Sequence, residues 1–480
     1  MRDLTPFYCP RSIAVVGAGE RATSSGGAVL QNLIKAGYTG RLVPINPKGG
    51  TAFGLTMQPA LKSLAEPVDL AVIVIRPDMI VGAVREAAEA GIRNLLILPG
   101  GFAEAGDEGR ARDAELRELA AAHGLTIAGP NCAGYMHLRP DLRLAPSFLR
   151  DLPPGGGLAL VSQSGALAEE VIAAANLQRL GFGTIVSVGN AMHLGLEDHL
   201  EYLGADEGCS GIFLYAEGIE DPARFRTAAR EAAKKKPIVL LIGGRTGQGG
   251  RAAAAHTGAV PNSEAALAAF AAECCALRVT SLRRLLLAAK GFSFYPEGIA
   301  AKALILSNSG GPGVVCTDQA VLEGLDLVDL PAAMAAPLRA ALPGEASVAN
   351  PIDLLADARE ERFGLCFDLA VQKGYPAFKT ILGIHVVPFM VDAAPVVQTI
   401  AERMRRDRRP QGLAVMHAMM GTLPDKAAWF AALEAAGIPA FNDVEQMAEC
   451  AGLLAQYPKL RARAASEPPP NRPPAFKGRA

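Results

Sequence analysis

Short runs of β-branched and other apolar residues alternate with alanine-rich stretches along almost the whole chain. In the first third, the apolar runs cover residues 12–16, 41–45, 70–75, 94–98 and 125–128. Stretches with helical periodicity lie between them at 28–36, 80–90 and 110–123. Strands that alternate with helices are typical of βαβ units, in which a parallel sheet carries helices on both faces. The pattern predicts an α/β fold, with a first sheet that ends near residue 145.

The same alternation restarts twice. Two prolines and three glycines at 153–157 indicate a linker. Predicted strands follow at 157–161, 184–188, 211–215 and 238–242, and, after a connector at 292–298, at 303–306, 380–387 and 413–416. The second and third units both open with a strand that runs into S-x-S-G, at 162–165 and 307–310. This repetition indicates two related flavodoxin-like units.

The chain of 480 residues is long enough for three domains. We predict a Rossmann-like domain at 1–148, followed by two flavodoxin-like, doubly wound domains at 149–298 and 299–460. The remaining segment, 461–480, is rich in proline and charged residues. Such a composition buries too little apolar surface to fold, so we expect a disordered tail.

Charge and composition limit the classes of partner. The chain has 47 Lys and Arg residues against 48 Asp and Glu residues, a net charge of −1, which gives no electrostatic case for nucleic acid or an anionic membrane. The N-terminus lacks the apolar region of a signal peptide, and no run of 18 apolar residues occurs, so we expect a cytoplasmic protein. The eight cysteines form no C-x-x-C pair. We therefore expect buried, reduced thiols and no metal site.

Two turns of the first unit have the composition of a phosphate-binding site. The turn V-V-G-A-G after the first predicted strand contributes Gly17, Ala18 and Gly19, and glycines allow a phosphate to approach the backbone at a helix start. The spacing is not G-x-G-x-x-G, so a plain tight turn remains the alternative. In the motif I-N-P-K after the second strand, Asn46 and Lys48 stand where an NAD enzyme carries an acidic residue. A ligand with an additional phosphate, such as NADP or CoA, is favoured.

Two more loops follow strands of this unit. One is L-P-G-G-F, with Gly100, Gly101 and Phe102, and the other is A-G-P-N-C, with Asn131. Ligands of open parallel sheets bind at the carboxyl ends of the strands. We therefore expect these loops to line one pocket.

The second unit begins with V-S-Q-S-G-A-L at 161–167, a strand, a turn of small residues and a helix. Ser164 and Gly165 would open that helix, whose free amides suit a phosphate or an oxyanion. A serine nucleophile elbow is the alternative. The absence of G-x-S-x-G and of an ordered Asp and His argues against it.

The most distinctive histidine is His256. It follows a glycine-rich segment at 243–250, with Arg251 nearby and small residues around it. A neutral imidazole is a good nucleophile toward phosphorus, and arginines pair with phosphate through two hydrogen bonds. Glu217, just past a predicted strand end, is the best candidate to hold the other ring nitrogen. We expect the glycine-rich segment to form a mobile loop.

Nine motifs occur in an order that resembles the ADP-forming acetyl-CoA synthetases, which are relatives of succinyl-CoA synthetase. They are V-G-A, I-N-P-K, G-G-F-x-E, G-P-N-C-x-G, S-Q-S-G-A-L, Y-x-E-G-I, A-H-T-G-A, S-N-S-G-G-P-G-V and N-P-I-D-L-L. The resemblance extends over about residues 5–457.

The resemblance implies the alpha subunit of an NDP-forming acyl-CoA synthetase. CoA would bind the first domain, at Gly17, Lys48 and the loop 100–102, with Asn131 near the thioester. His256 would carry the phosphoryl group between an acyl phosphate and ADP. In the second domain, Glu217 would orient that histidine, and the helix that starts at 164–165 would face the phosphate.

The chain lacks a G-x-x-x-x-G-K-[ST] phosphate loop, and its three units leave no room for an ATP-grasp domain. The resemblance therefore implies a separate ATP-grasp beta subunit that binds Mg-ADP or Mg-ATP, and a small carboxylic acid as the substrate. P-G-G-F at 99–102 and I-R-P at 75–77 depart from the family pattern. A catalytically inactive CoA-sensing module is one alternative. An NADP-dependent oxidoreductase is another, with little support because no acid–base pair stands near the first unit.

Overall fold

The computed structural model of the protein describes residues 2–21, 23–139, 142–257, 260, 262–470, 473–474 and 476–477, and only the backbone of residues 255–257. The chain divides into two compact units. One is Met1–Leu282 together with Ala464–Ala480, and the other is Arg283–Arg463. Among the described residues, no helix is both long enough and apolar enough to cross a bilayer.

The first part of the first unit has alternating strands and helices. The strands are β1 (Ser12–Val16), β2 (Arg41–Ile45), β3 (Thr51–Ala52), β4 (Leu55–Thr56), β5 (Leu70–Ile73), β6 (Asn94–Ile97) and β7 (Thr126–Ala128). The helices are α1 (Thr5–Tyr8), α2 (Ser25–Ala36), α3 (Pro77–Glu89) and α4 (Gly106–His123). A parallel sheet has the strand order β2-β1-β5-β6-β7, and β3 and β4 form a small hairpin.

A second sheet follows in the same unit. Its strands are β8 (Tyr135–Arg139), β9 (Leu142–Leu144), β10 (Leu158–Ser162), β11 (Phe182–Ser187), β12 (Gly211–Ala216), β13 (Ile238–Ile242) and β14 (Leu277–Val279). The helices are α5 (Gly165–Gln178), α6 (Leu196–Ala205), α7 (Pro222–Ala233), α8 (Gly247–Thr257) and α9 (Glu264–Glu273). The strand order is β14-β13-β12-β10-β11-β8-β9, and β8 and β9 are antiparallel to their neighbours.

The two sheets share a hydrophobic core. Val15 and Leu96 of the first sheet belong to the same buried cluster as Val186 and Leu214 of the second. The predicted boundary at 148/149 therefore does not separate two compact units. It also falls after β8 and β9, which pair with the second sheet through β11. Alternation of apolar and helical stretches could not reveal this hairpin, because it adds strands to a sheet whose other members come later in the chain.

Part of the predicted disordered tail is packed against the first unit. The ring of Phe476 is 5% exposed, and its centroid lies 5.0 Å from that of Phe270. Asn262 brackets the backbone of Lys477: its Oδ1 accepts from the Lys477 N–H at 2.8 Å, and its Nδ2 donates to the Lys477 carbonyl at 3.2 Å. One buried aromatic ring and these hydrogen bonds fix a segment whose composition alone predicts disorder.

The second unit contains the third sheet. Its strands are β15 (Lys302–Ser307), β16 (Asp326–Leu327), β17 (Ser347–Val348), β18 (Ile352–Asp353), β19 (Thr380–Val386), β20 (Ala414–Met420) and β21 (Ala440–Phe441). The helices are α10 (Leu282–Phe294), α11 (Gly310–Leu322), α12 (Ala332–Ala341), α13 (Glu360–Leu369), α14 (Ala393–Arg403), α15 (Lys426–Ala435) and α16 (Val444–Ser466). The order is β17-β18-β15-β19-β20-β21, and β16 also pairs with β15.

The boundary before this unit lies after Leu282, and not at the predicted 298/299. The reason is that α10 packs on α16: the thiol of Cys450 donates to the carbonyl of Leu287, and Gly291 has no space for a Cβ because the side chain of Leu454 would lie 2.3 Å away. The segment 292–298 therefore begins inside the core of the second unit. α16 also runs to Ser466, past the predicted end of the third domain at 460.

The two S-x-S-G motifs adopt the same local structure. In the first, Ser162 Oγ donates to the Ser164 carbonyl at 2.7 Å and accepts from the Ser164 N–H at 3.1 Å. In the second, Ser307 and Ser309 make the same pair of bonds at 2.8 and 3.0 Å. Each motif ends a parallel strand and begins a helix, as the repetition in the sequence predicts. The predicted α/β fold with parallel sheets is confirmed.

Candidate active site

A cleft of about 940 Å³ lies where strands of the first sheet end and α5 begins. The lining comes from the turns after β1, β5, β6 and β7, from the segment after β9 and from the first turns of α2, α3 and α5. Its residues include Gly17, Ser24, Ser25, Gly26, Val74, Arg76, Met79, Gly100, Asn131, Cys132, Phe148, Gly165 and Glu169. Gly17, Gly100, Asn131 and Gly165, predicted from separate motifs, are thus brought together. All of these residues belong to the first unit.

The turn after β1 requires glycine at two positions. Gly17 has φ +91°, and a Cβ there would lie 2.3 Å from the carbonyl oxygen of Val74. A Cβ on Gly26, in the first turn of α2, would lie 2.1 Å from the carbonyl oxygen of Gly17. The close approach places the start of α2, where the helix dipole favours an anion, against the turn after β1.

The neighbouring predicted residues stand outside the lining. Ala18 is buried in the core, and Gly19 is not part of the cleft wall. Asn46 donates from Nδ2 to the Ala18 carbonyl at 2.7 Å and accepts from the Lys48 N–H at 3.0 Å. Asn46 therefore ties the turns after β1 and β2 together, and Lys48 is exposed on the second of these turns.

The loop after β6 contributes to the cleft through one of its three predicted residues. Gly100 lines it, whereas Phe102 is fully buried in the core beneath the first sheet. Gly101 has φ +100°, and its carbonyl accepts from Arg112 Nη1 at 2.6 Å. Gly101 and Phe102 therefore support the loop on the side away from the cleft. Gly100 is the residue of this loop that a ligand in the cleft can contact.

Sequence reasoning missed several wall residues. Arg76 and Met79 follow β5, and Phe148 follows β9. Arg76 belongs to the I-R-P segment at 75–77 that departs from the family pattern, and it pairs with Asp78 at 2.8 Å on the surface. Applying the rule about carboxyl ends of strands to β5 would have found it. Phe148 had no such indication. Its segment is held by Asn32 of α2, which donates to the carbonyls on either side of Phe148 at 2.8 Å each.

Cys132 also lines the cleft, but its thiol is buried and bonds to the carbonyl of Ile97. Burial raises the pKa of the Cys132 thiol to about 12. A thiol that stays protonated is a poor nucleophile. This agrees with the prediction of buried thiols, which holds for seven of the eight cysteines, Cys9 being exposed.

The second sheet contributes the start of α5 to the cleft. Ser164 caps this helix by accepting from the Leu167 N–H at 3.3 Å, so its hydroxyl serves the helix terminus. Gly165 comes next, and a Cβ there would lie 3.0 Å from the Cβ of Ala133, in the loop that carries Asn131. The N-terminus of a 14-residue helix therefore reaches the wall formed by the first sheet.

Glu217 lies in a turn at the carboxyl end of β12, next to the Ser164 turn at the end of β10. Gln163 joins the two turns: its Oε1 accepts from the N–H groups of Glu217 at 2.5 Å and Gly218 at 3.1 Å, and its Nε2 donates to the Gly218 carbonyl at 2.7 Å. The hydroxyl of Tyr215 donates to Glu217 Oε1 at 3.1 Å. Burial, together with the Glu217 carboxylate, raises the pKa of Tyr215 well above its usual value, so the hydroxyl remains a donor.

The glycine-rich segment is partly helical, which differs from the predicted loop. α8 begins at Gly247, because Thr246 Oγ1 accepts from the Gly249 N–H at 3.0 Å and four alanines follow at 252–255. Alanine has the highest helix propensity and outweighs the glycines. Arg251 is exposed on α8. His256 lies in the last turn of α8, and its side chain is outside the described residues.

Glu217 and α8 border the same small cavity, of about 10 Å³. Gly243 and Gly244 line it from the turn after β13, and Gly250 and Ala253 line it from α8. Phe476 of the tail also borders it. The base of the glycine-rich segment therefore packs beside the carboxylate that the sequence predicts as its partner.

Comparison with known proteins identifies the family. Residues 11–138 match the profile of a CoA binding domain, and residues 155–292 match that of a succinyl-CoA ligase-like flavodoxin domain. The alpha subunit of acetate–CoA ligase [ADP-forming] II from Pyrococcus furiosus is 32% identical over 455 residues, 94% of this chain and 97% of that protein. This chain belongs to the ADP-forming acetate–CoA ligase family. The alpha subunit of isoenzyme I from the same organism is 31% identical over 96% of this chain and 99% of its own length.

Solved structures also match this chain over nearly its whole length. The dinucleotide-forming acetyl-coenzyme A synthetase 1 of Ca. Korarchaeum cryptofilum, in complex with phosphate and ADP, has a TM-score of 0.89 and 28% identity, and covers 97% of this chain and 99% of that chain. A protein of Pyrococcus horikoshii OT3 has a TM-score of 0.80 and 29% identity over 96% of this chain. The family resemblance read from the nine motifs is confirmed, and the comparisons give no support to an inactive CoA-sensing module.

Proposed function

We propose that this chain is the CoA-binding, phosphohistidine-carrying alpha subunit of an NDP-forming acyl-CoA synthetase, and that it works with a separate ATP-grasp beta subunit. Acyl-CoA and phosphate form an acyl phosphate and free CoA. His256 then takes the phosphoryl group from the acyl phosphate and releases the carboxylate. ADP on the partner accepts the phosphoryl group from His256 to form ATP. Each step transfers one group, and the last step, the transfer to ADP, returns His256 to its starting state.

The single observation that carries this proposal is the meeting of two motif groups in one cleft. Gly17, Gly100 and Asn131, which the resemblance assigns to CoA, share it with Gly165, which the resemblance assigns to phosphate. An acyl-CoA thioester and a phosphate must meet for an acyl phosphate to form. The helix N-terminus at Gly165 offers amides and a positive dipole end at that meeting place.

Helical spacing supports the place of His256. Gly250 and Ala253 of α8 border the cavity of Glu217. Position 256 follows Ala253 by three residues, and residues three apart share a face of a helix. A phosphoryl group carried at position 256 needs α8 to move between the cleft and the partner, and the glycines at its base provide the backbone freedom.

The test of the whole proposal is reconstitution with an ATP-grasp beta subunit of this family. ATP formation from acetyl-CoA, ADP and phosphate should require both chains and Mg²⁺. A panel of acyl-CoA thioesters with small, branched and aryl groups then identifies the substrate. ATP formation by this chain alone would contradict the division of labour. Its absence from the complex with every thioester of the panel would contradict the synthetase function.

Arg76 provides a test of CoA binding. It is 76% exposed at the cleft wall, where its guanidinium can exchange Asp78 for a phosphate of CoA. The substitution Arg76→Ala should weaken CoA binding by about fivefold to tenfold at low ionic strength, and by less at high salt, because exposed charge pairs are screened. Isothermal titration of CoA against wild type and variant measures the change.

Arg85→Ala is the matched control, because Arg85 lies on α3, the helix that Arg76 precedes, but pairs with Glu115 and does not line the cleft. Its CoA affinity should equal that of the wild type. A titration with NADP in place of CoA should give little binding. Equal affinity of the Arg76 variant and the wild type at low salt would remove Arg76 from the CoA site.

A further inference from the structure

Three side chains from three different loops form a hydrogen-bonded row at the edge of the cleft. Asn131, after β7, donates from Nδ2 to Asn190 Oδ1 at 3.2 Å. Asn190, after β11, donates from its own Nδ2 to Glu104 Oε2. Glu104 lies in the loop after β6. We name these three residues the acid–amide relay, and none of its bonds was predicted from the sequence.

The carboxylate of Glu104 is fully engaged. Its Oε1 accepts from the N–H groups of Gly101 at 2.5 Å and Phe102 at 3.2 Å, and its Oε2 accepts from Asn190. Burial by itself raises the pKa of Glu104, but the hydrogen bonds from Asn190 and the loop amides outweigh it and hold the pKa below its usual value. An ionised carboxylate with both oxygens occupied accepts hydrogen bonds and is poorly suited to carry a proton.

The charge at one end fixes the direction of every bond in the relay. A carboxylate only accepts, so Asn190 must turn its NH₂ group toward Glu104 and its oxygen toward Asn131. Asn131 must then turn its NH₂ group toward Asn190, which leaves its Oδ1 on the other side. That oxygen would lie 2.9 Å from a Cβ built on Gly100, a residue of the cleft wall.

Main-chain hydrogen bonds already hold the loops of Asn131 and Asn190 in place, so only the orientation of each side-chain amide remains to be determined. The N–H groups of Asn190 and Met192 donate to the carbonyls of Pro130 and Gly129, both at 2.9 Å. The N–H of Asn131 donates to the Pro99 carbonyl at 3.0 Å. The loops that carry the two asparagines are thus joined by their main chains. The side-chain hydrogen bonds of the relay then select one of the two orientations, related by exchange of the oxygen and the NH₂ group, for the amides of Asn131 and Asn190.

We propose that Glu104 and Asn190 are positioning residues that make Asn131 present a hydrogen-bond acceptor, its Oδ1, to the thiol end of CoA. This inference rests on the proposed function of the cleft. The pantetheine end of CoA carries S–H and amide N–H donors, which an amide oxygen accepts and an amide NH₂ group would repel. In the synthesis direction, the thiol sulfur bonds to the acyl carbon as the bond from that carbon to the phosphate oxygen breaks. The thiol proton leaves on the phosphate, and the relay takes up no proton.

The test uses substitutions that first disturb and then restore the direction of the hydrogen bonds in the relay. Glu104→Gln introduces a donor at its head, so both orientations of Asn131 become available. In the reconstituted complex, kcat should fall about tenfold or more, because misplacing a reacting group by a fraction of an ångström is costly. The KM for CoA should change less than about twofold, since the remaining cleft contacts bind CoA equally in the ground state.

Asn190→Asp alone places two carboxylates side by side and should also lower kcat. In the double variant Glu104→Gln, Asn190→Asp, the amide introduced at position 104 donates to the carboxylate introduced at position 190. That carboxylate also accepts from Asn131, so the original direction is restored at unchanged net charge. We expect the double variant to recover most of the lost kcat. Recovery on combining two damaging substitutions shows that the two side chains act through each other, which two independent losses of folding cannot produce.

Glu108→Gln is the matched control, because Glu108 is an exposed carboxylate on the adjacent helix that pairs with Arg112. It should retain wild-type kcat. Wild-type kcat in Glu104→Gln, or a double variant no better than the worse single one, would overturn the relay. An inactive wild-type complex would instead overturn the proposed function, so the two failures are distinguishable.

Discussion

Replacing His256 with alanine is expected to abolish ATP formation from acetyl-CoA, ADP and phosphate in the reconstituted complex. In the proposed mechanism, the His256 imidazole takes the phosphoryl group from the acyl phosphate and carries it to ADP, so its removal leaves that mechanism without a carrier. Removing a covalent nucleophile outright typically costs roughly 10⁴-fold or more in kcat. A coupled assay of ATP formation measures the loss. CoA binding should be unchanged, because the cleft is lined by loops of the first sheet and the start of α5.

His123→Ala is the control for this experiment, since His123 is exposed at the C-terminal end of α4. It should leave turnover and CoA binding intact. Phosphorylation gives a second, independent measurement: incubation of the wild-type complex with ATP should add one acid-labile phosphoryl group to this chain. That group should be missing from the His256 variant. Turnover at more than about a hundredth of the wild-type rate in the variant would contradict the carrier role.

The sequence predicts the longer parallel strands well, because each is a short apolar run with its own turn, whereas the short strands β14, β16, β18 and β21 were not predicted. β1, β2 and β13 have the predicted limits, and β12 differs by one residue. The same property locates the cleft, since the carboxyl ends of parallel strands lie at one edge. This rule alone is enough to place Gly17, Gly100 and Asn131 together.

What the sequence could not predict depends on contacts between distant segments. The tail was predicted to be disordered from its composition, yet Phe476 packs on Phe270, more than 200 positions earlier in the chain. The α10 boundary depends on packing against α16. The acid–amide relay joins Glu104 to Asn190 and Asn131, and no spacing in the sequence encodes that meeting. Local pattern fixes each element, whereas pairing between elements requires their positions in space.

Replacing Glu217 with glutamine is expected to lower turnover on the order of 10²-fold, while CoA binding stays at the wild-type level. A carboxylate next to one imidazole nitrogen fixes the tautomer in which the other nitrogen attacks phosphorus, and it stabilises the positive charge of the phosphorylated ring. Glutamine retains the shape and an acceptor oxygen but has no charge. Rapid-quench measurement of phosphohistidine formation should show that this step is slowed, whereas acyl phosphate formation is not.

The surroundings of Glu217 separate this role from a structural one. Glu220→Gln, a change in an exposed carboxylate three residues later, should have no effect. Tyr215→Phe removes the hydroxyl that donates to Glu217 Oε1 but keeps the charge, so its loss should be smaller, about tenfold or less. The main chain of the turn is held by Gln163, so the glutamine variant should keep the turn in place. If Glu217→Gln and Tyr215→Phe lowered turnover equally, the charge would have no special part, and Glu217 would be a hydrogen-bonding residue of the turn alone.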